Sequence, residues 1–86
     1  MAKVVLYTTP YCPYCRMALR LFDAKGVSYE NIDVTDDREK RRWLLEATGQ
    51  HTVPQIFIDG ESLGGYTDVA ALDSQGGLDR LLAEGT

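Results

Sequence analysis

Only two cysteines, one histidine and three prolines occur in 86 residues, and the 9 basic residues are outnumbered by 13 acidic ones. Each shortage excludes something. Cys12 and Cys15 lie three positions apart and close too short a loop to remove much chain entropy, so no disulfide framework staples the fold. His51 and scattered carboxylates do not make the second ligand cluster that a structural zinc site uses. A net charge of −4 gives no general electrostatic reason to bind nucleic acid or an anionic membrane. No apolar run approaches the ~20 residues of a membrane span. The start, Met1-Ala2-Lys3-Val4-Val5-Leu6, reaches Thr8-Thr9-Pro10 before a signal-peptide core builds up. Repeats, low-complexity tracts and linkers are missing too. The expectation is one small domain over residues 1–86, standing on its core. A chain of this length buries roughly 60–65% of its unfolded surface, which is sufficient.

What is present is a clear change of period along the chain. Val4-Val5-Leu6-Tyr7 is a continuous apolar run and reads as a buried strand in a parallel sheet. Thr8 to Tyr11 is a turn. From Pro13, which suits a first helical turn, Cys15, Ala18, Leu19 and Phe22 fall on one helix face, and Gly26 suits the stop. Val27 to Val34 alternates as a second strand. Thr35 or Asp36 is the expected cap of a helix over Asp37–Thr48 with Trp43, Leu44 and Ala47 inward and Gly49 at its end. Gln55–Ile58 is a third strand, Asp59-Gly60 a hairpin turn, and Glu61–Leu63 a fourth strand. A helix over Asp68–Asp73 follows Gly64-Gly65, and Leu78, Leu81 and Leu82 add an amphipathic turn or two. The order is β-α-β-α-β-β-α. A strand–helix–strand start implies a right-handed parallel pair. The fold class is therefore α/β, a mixed four-stranded sheet flanked by helices.

Cys12-Pro13-Tyr14-Cys15 follows a predicted strand and opens a predicted helix, the setting in which a C-x-x-C pair reads as a redox motif. At a helix N-terminus, free N–H groups and the macrodipole favour an anion and bring a thiol pKa to about 3.5–7.5. Cys12 is then the attacking thiolate, and Cys15, one turn further in, the protonated resolving thiol. The alternatives are inert thiols or half of a zinc site.

Four segments together resemble the glutaredoxin family over nearly the whole chain: Tyr7-Thr8-Thr9-Pro10, Cys12-Pro13-Tyr14-Cys15, Thr52-Val53-Pro54-Gln55-Ile56-Phe57-Ile58 and Gly64-Gly65-Tyr66-Thr67-Asp68. The likeness is to small bacterial dithiol members. Thioredoxins, with Trp-Cys-Gly-Pro-Cys and no Gly-Gly-x-Thr-Asp segment, fit less well. The resemblance implies a thioredoxin-like fold, a cis peptide before Pro54, and Val53 backbone groups beside Cys12 that pair with an extended cysteinyl peptide. It implies a glutathione site of Tyr14, Arg41, Thr52, Val53, Pro54, Gly65, Tyr66, Thr67 and Asp68. Within it, Gly64 and Gly65 let the backbone approach the ligand. Thr67 and Asp68 meet the γ-glutamyl end, Asp68 facing its ammonium. Arg41 reaches the glycyl carboxylate and Tyr14 packs on the tripeptide. His51 stands at the rim, and Trp43 is core or a partly buried cover. Many relatives carry Lys where this chain has Thr9, which removes a positive charge near the nucleophile; Arg16 is a candidate replacement.

The implied activity is glutathione-dependent thiol–disulfide oxidoreduction. Cys12 alone serves mixed disulfides with glutathione, and Cys12 with Cys15 serves protein disulfides. Glutathione is the reducing co-substrate, with no bound metal or flavin. Partners are glutathionylated or disulfide-containing proteins, ribonucleotide reductase among the candidates. A reducing cytoplasm is the expected home, and nothing in the sequence demands more than a monomer. Two rivals remain. One is an electron donor fed by thioredoxin reductase, whose sequences usually lack Gly-Gly-Tyr-Thr-Asp. The other is a carrier holding a [2Fe–2S] cluster between two chains through Cys12 and two glutathiones. Pro13 argues against it, since cluster-holding relatives mostly have Ser or Gly there.

Overall fold

The Val4-Val5-Leu6-Tyr7 run forms the centre of a sheet, because its two faces are both covered. In the computed structural model, which describes residues 2–84, the strand β1 is Val4–Thr8, and Val4, Leu6 and Thr8 are buried while Val5 and Tyr7 are half-buried. The remaining elements are α1 Pro13–Lys25, β2 Tyr29–Asp33, α2 Arg38–Thr48, β3 Gln55–Ile58, β4 Glu61–Gly64, α3 Tyr66–Ser74 and α4 Gly77–Glu84. The strand order is β2-β1-β3-β4. β1 runs parallel to β2, with Val4 opposite Tyr29, and antiparallel to β3, with Leu6 opposite Ile56. β3 and β4 are antiparallel, joined through Asp59 and Gly60, both at positive φ (52° and 82°) as a two-residue hairpin of this hand requires. This is the mixed four-stranded sheet of the thioredoxin-like fold.

The two sheet faces carry unequal cores. On one, Val4, Leu6, Ile56 and Ile58 pack against Ala18 and Phe22 of α1, Val69 of α3 and Leu78 of α4. On the other, Val34, Leu44 and Phe57 form a smaller cluster under α2. Lys25 Nζ binds Asp73 Oδ1 at 2.6 Å and Asp79 Oδ1 at 2.9 Å, tying the end of α1 to α3 and α4.

Several expectations change. β2 is shorter than Val27–Val34, and β1 and β4 each run one residue further. The residues after Gly76 form a full helix, α4, so the order ends in two helices. α3 starts at Tyr66, earlier than Asp68, because Gly65 takes the cap position. The cap of α2 is Asp37, whose carboxylate accepts the Lys40 backbone N–H at 2.9 Å, and neither Thr35 nor Asp36. Of the residues placed inward on α2, only Leu44 is fully buried: Ala47 is exposed and Trp43 is 46% exposed. The reason is the single helix on that face, which gives Trp43 a wall on one side only. Trp43 stacks on Phe57 (centroids 5.7 Å) and leans on Tyr7 (5.6 Å), a cover over the minor cluster.

Candidate active site

The chain leaves β1 at Thr8, whose buried hydroxyl donates to Asn31 Oδ1 at 2.5 Å and whose carbonyl accepts the Val34 N–H at 3.0 Å. These bonds anchor the turn that delivers Cys12. α1 begins immediately after, with Cys12 in extended backbone as its N-cap and Pro13 in the first helical turn. Cys15 sits one turn in, 1% exposed, whereas Cys12 is partly exposed, and both are free thiols. The sequence alone fixes this asymmetry, because the face carrying Cys15 also carries Ala18 and Phe22.

Burial pushes the Cys15 thiol up to about 11. Hydrogen bonds from the Thr9 backbone and hydroxyl pull it down, and the neighbouring Cys12 sulfur pushes it further up. Thr9 therefore acts on the Cys15 thiol, in contrast to the charge near Cys12 expected of a lysine there. Cys12 differs from expectation in its partner. No helix N–H bonds its sulfur; its thiol donates instead to the Val53 carbonyl at 3.6 Å. Pro13 has no N–H to offer, and the thiol proton needs an acceptor, which the Val53 carbonyl is. Arg16 donates to the Pro10 carbonyl at 3.2 Å, bringing positive charge to the turn before the cysteines.

The Val53–Pro54 peptide is cis. Beside it opens a cavity of about 270 Å³. Eight of the sequence-selected residues line it: Tyr14, Thr52, Val53, Pro54, Gly65, Tyr66, Thr67 and Asp68. Tyr14, 55% exposed, faces Tyr66 across the opening with ring centroids 6.4 Å apart. Asp68 Oδ2 accepts the Gly65 N–H at 3.1 Å, which holds the carboxylate against the start of α3. Gly64 makes room for it. At φ +91° this residue occupies the left-handed region, and a Cβ there would collide with the Asp68 carboxylate. The missing side chain thus serves Asp68 rather than a ligand. At Gly65 a Cβ would meet the Pro54 carbonyl at 3.5 Å, an ordinary contact.

Arg41 does not reach this cavity. With His51 it lines a separate, narrow crevice that shares Thr52 and Val53 with the cavity and leaves no room for a bound group. One cavity residue went unnoticed in the sequence: Gln50, which shares the cavity wall with Asp68. Among the described residues, no group of three or more His, Cys, Asp or Glu is placed to hold a metal, and no helix is long and apolar enough to cross a membrane.

Similarity to known proteins agrees with this geometry. The glutaredoxin family model matches residues 4–63. Glutaredoxin 3 of Escherichia coli strain K12 is 46% identical over 82 residues, covering 95% of this chain and 99% of the relative. A wheat glutaredoxin crystal structure superposes with a TM-score of 0.90 at 40% identity, covering 96% of this chain and 81% of the other. The crystal structure of a buckwheat glutaredoxin–glutathione complex gives 0.89 at 34% identity, covering 96% and 78%. With a family model matched over most of its length and relatives this similar across nearly the whole chain, the chain belongs to the glutaredoxin family of glutathione-dependent thiol–disulfide oxidoreductases.

Proposed function

We propose that Cys12 is the nucleophile, Cys15 the resolving thiol, and the 270 Å³ cavity the seat of glutathione. The observation that carries this is the Cys12 thiol 3.6 Å from the Val53 carbonyl, at the edge of the cavity that Thr67 and Asp68 close. A cysteinyl backbone paired with Val53 brings its own sulfur next to Cys12. The buckwheat relative, solved as a glutathione complex, supports the same reading.

On a glutathionylated protein, the Cys12 thiolate attacks the glutathione sulfur. The old S–S bond breaks, the protein thiolate leaves and takes a proton, and Cys12 carries glutathione. A second glutathione thiolate attacks that sulfur and releases oxidised glutathione. On a protein disulfide, Cys12 forms the mixed disulfide. Cys15 then gives up its proton to the departing protein thiolate and bonds to Cys12. Two glutathiones return the pair to dithiols, and are themselves oxidised to one disulfide. Burial keeps the Cys15 thiol protonated, so it does not compete with Cys12 in the first attack.

In this reading Asp68 Oδ1 takes the γ-glutamyl ammonium, the N–H groups at the start of α3 take its carboxylate, and Tyr14 and Tyr66 cover the tripeptide. Arg41 serves the glycyl carboxylate only after moving toward the cavity. We further propose that residues 1–86 act as one domain and one monomer, without a resident metal or flavin, in a reducing cytoplasm. Its protein substrates are then glutathionylated or disulfide-bonded, as in a ribonucleotide reductase.

The test is glutathione-driven deglutathionylation of a peptide by Cys15→Ser. Turnover at or above the wild-type rate is expected, with reduction of an intramolecular protein disulfide lost. No turnover by the folded variant, with NADPH oxidation by thioredoxin reductase supported instead by the oxidised wild-type protein, would overturn the glutathione assignment.

A further inference from the structure

Gln55 opens β3 directly after Pro54 and is wholly buried. Its Nε2 donates to the Thr52 carbonyl at 2.9 Å and to Gln50 Oε1 at 3.1 Å. A carbonyl only accepts, so the Thr52 bond decides which end of the Gln55 amide faces this loop. The second hydrogen on the same nitrogen also needs an acceptor, so Gln50 must turn its oxygen inward. Gln50 Nε2, with both its hydrogens, then faces away from Gln55. Gln50 is exposed and lies on the cavity wall with Thr67 and Asp68, whereas Arg41 and His51 line the separate crevice. The arrangement costs stability: Gln55 Oε1 is buried with no partner among the described residues. A leucine of similar size would avoid that cost.

We infer that Gln50 is a specificity-determining residue whose side-chain N–H donates to the α-carboxylate of a γ-glutamyl group, and that Gln55 is the positioning residue that turns it there. The inference rests on the glutathione reading of the cavity, and in particular on the γ-glutamyl end lying by Thr67 and Asp68. Asp68 attracts the ammonium of that end but repels the carboxylate on the same carbon. A fixed amide donor offsets the repulsion without placing a cation beside Asp68 that would pair with it.

The experiment is single-turnover release of a peptide thiol in the Cys15→Ser background, from two mixed disulfides. One carries glutathione. The other carries 4-aminobutyryl-cysteinyl-glycine, which lacks only the α-carboxylate. The parent protein is expected to reach half-saturation at lower concentration with the glutathione disulfide. Gln50→Ala and Gln55→Leu should each narrow that preference about tenfold, ~1.4 kcal/mol. The narrowing should come entirely from the glutathione substrate, with maximal rates unchanged. An unchanged preference in Gln50→Ala, or an equal loss on both substrates, would overturn the role of Gln50. A parent-like preference in folded Gln55→Leu would overturn the positioning role. Peptide release from neither substrate by the parent would instead bring down the glutathione reading itself.

Discussion

The two helices that open onto the cavity begin in opposite ways. α3 starts with its end secured: the Asp68 carboxylate accepts the Gly65 N–H, and Gly64 gives it space. α1 starts with no side-chain cap at all, although a polar side chain stands at its N-cap. Helix starts normally gain about 1 kcal/mol from such a cap. At Cys12 the position is given to the sulfur that attacks in the proposed reaction. In the proposed reaction one helix end holds and the other reacts: at α3 the Asp68 carboxylate is engaged by the Gly65 N–H, whereas at α1 the Cys12 thiol turns to the Val53 carbonyl and to no N–H of its own helix.

That division can be broken by exchange of single residues. Cys12→Ser removes the reacting sulfur, so release of peptide from a glutathione mixed disulfide should fall to the uncatalysed rate with the fold intact by circular dichroism. Asp68→Ala acts on the holding end. Half-saturation for the glutathionylated peptide should rise about tenfold or more, as expected for loss of a charged partner, with the maximal rate near wild type. A fall in the maximal rate of the same size would erase the distinction between the two ends. Gly64→Ala forces a side chain into positive φ and against the Asp68 carboxylate. It should lower stability by about 1–3 kcal/mol in urea and raise half-saturation in the same direction as Asp68→Ala. Asp37→Ala serves as the reference, since it removes an ordinary cap from α2, a helix that does not line the cavity. A loss of about 1 kcal/mol with unchanged turnover is expected.

The smallest effect lies in alkaline solution. The folded Cys15 thiol is raised to about 11 from 9.0, so between those values the unfolded chain releases a proton that the folded chain keeps. Cys15 therefore contributes stability that is complete below pH 9 and lost as pH rises toward 11. The urea midpoint of wild type should fall more steeply than that of Cys15→Ser across this window.

The chemistry was more legible in the sequence than its setting. The spacing of Cys15, Ala18, Leu19 and Phe22 gave both the helix and the burial of the second thiol, because a 3.6-residue period fixes which residues share a face. Asp59-Gly60 gave the hairpin through the backbone angles it favours. The cap of α2 was harder, since Thr35, Asp36 and Asp37 are all competent acceptors and only the path of the backbone selects Asp37. Trp43 and Ala47 fall on a helix stripe that the sheet edge does not fully cover, a fact of layer width rather than pattern. Gln50 carried no periodic signal. Its orientation comes from a buried amide five residues later, across a loop with a cis peptide, and such contacts exist only after folding. Arg41 shows the converse, a residue type suited to a carboxylate that the helix places outside the cavity, in the neighbouring crevice.

The stacking of Trp43 on Phe57 and Tyr7 also has an optical consequence. It is the single tryptophan of the chain, and it reports from the thinner of the two layers, across the sheet from α1. Its emission therefore follows the attachment of α2, while the redox pair at the head of α1 stays outside its immediate surroundings. Loosening of that layer ahead of the rest would register as a red-shifted fluorescence transition that precedes the loss of helical ellipticity.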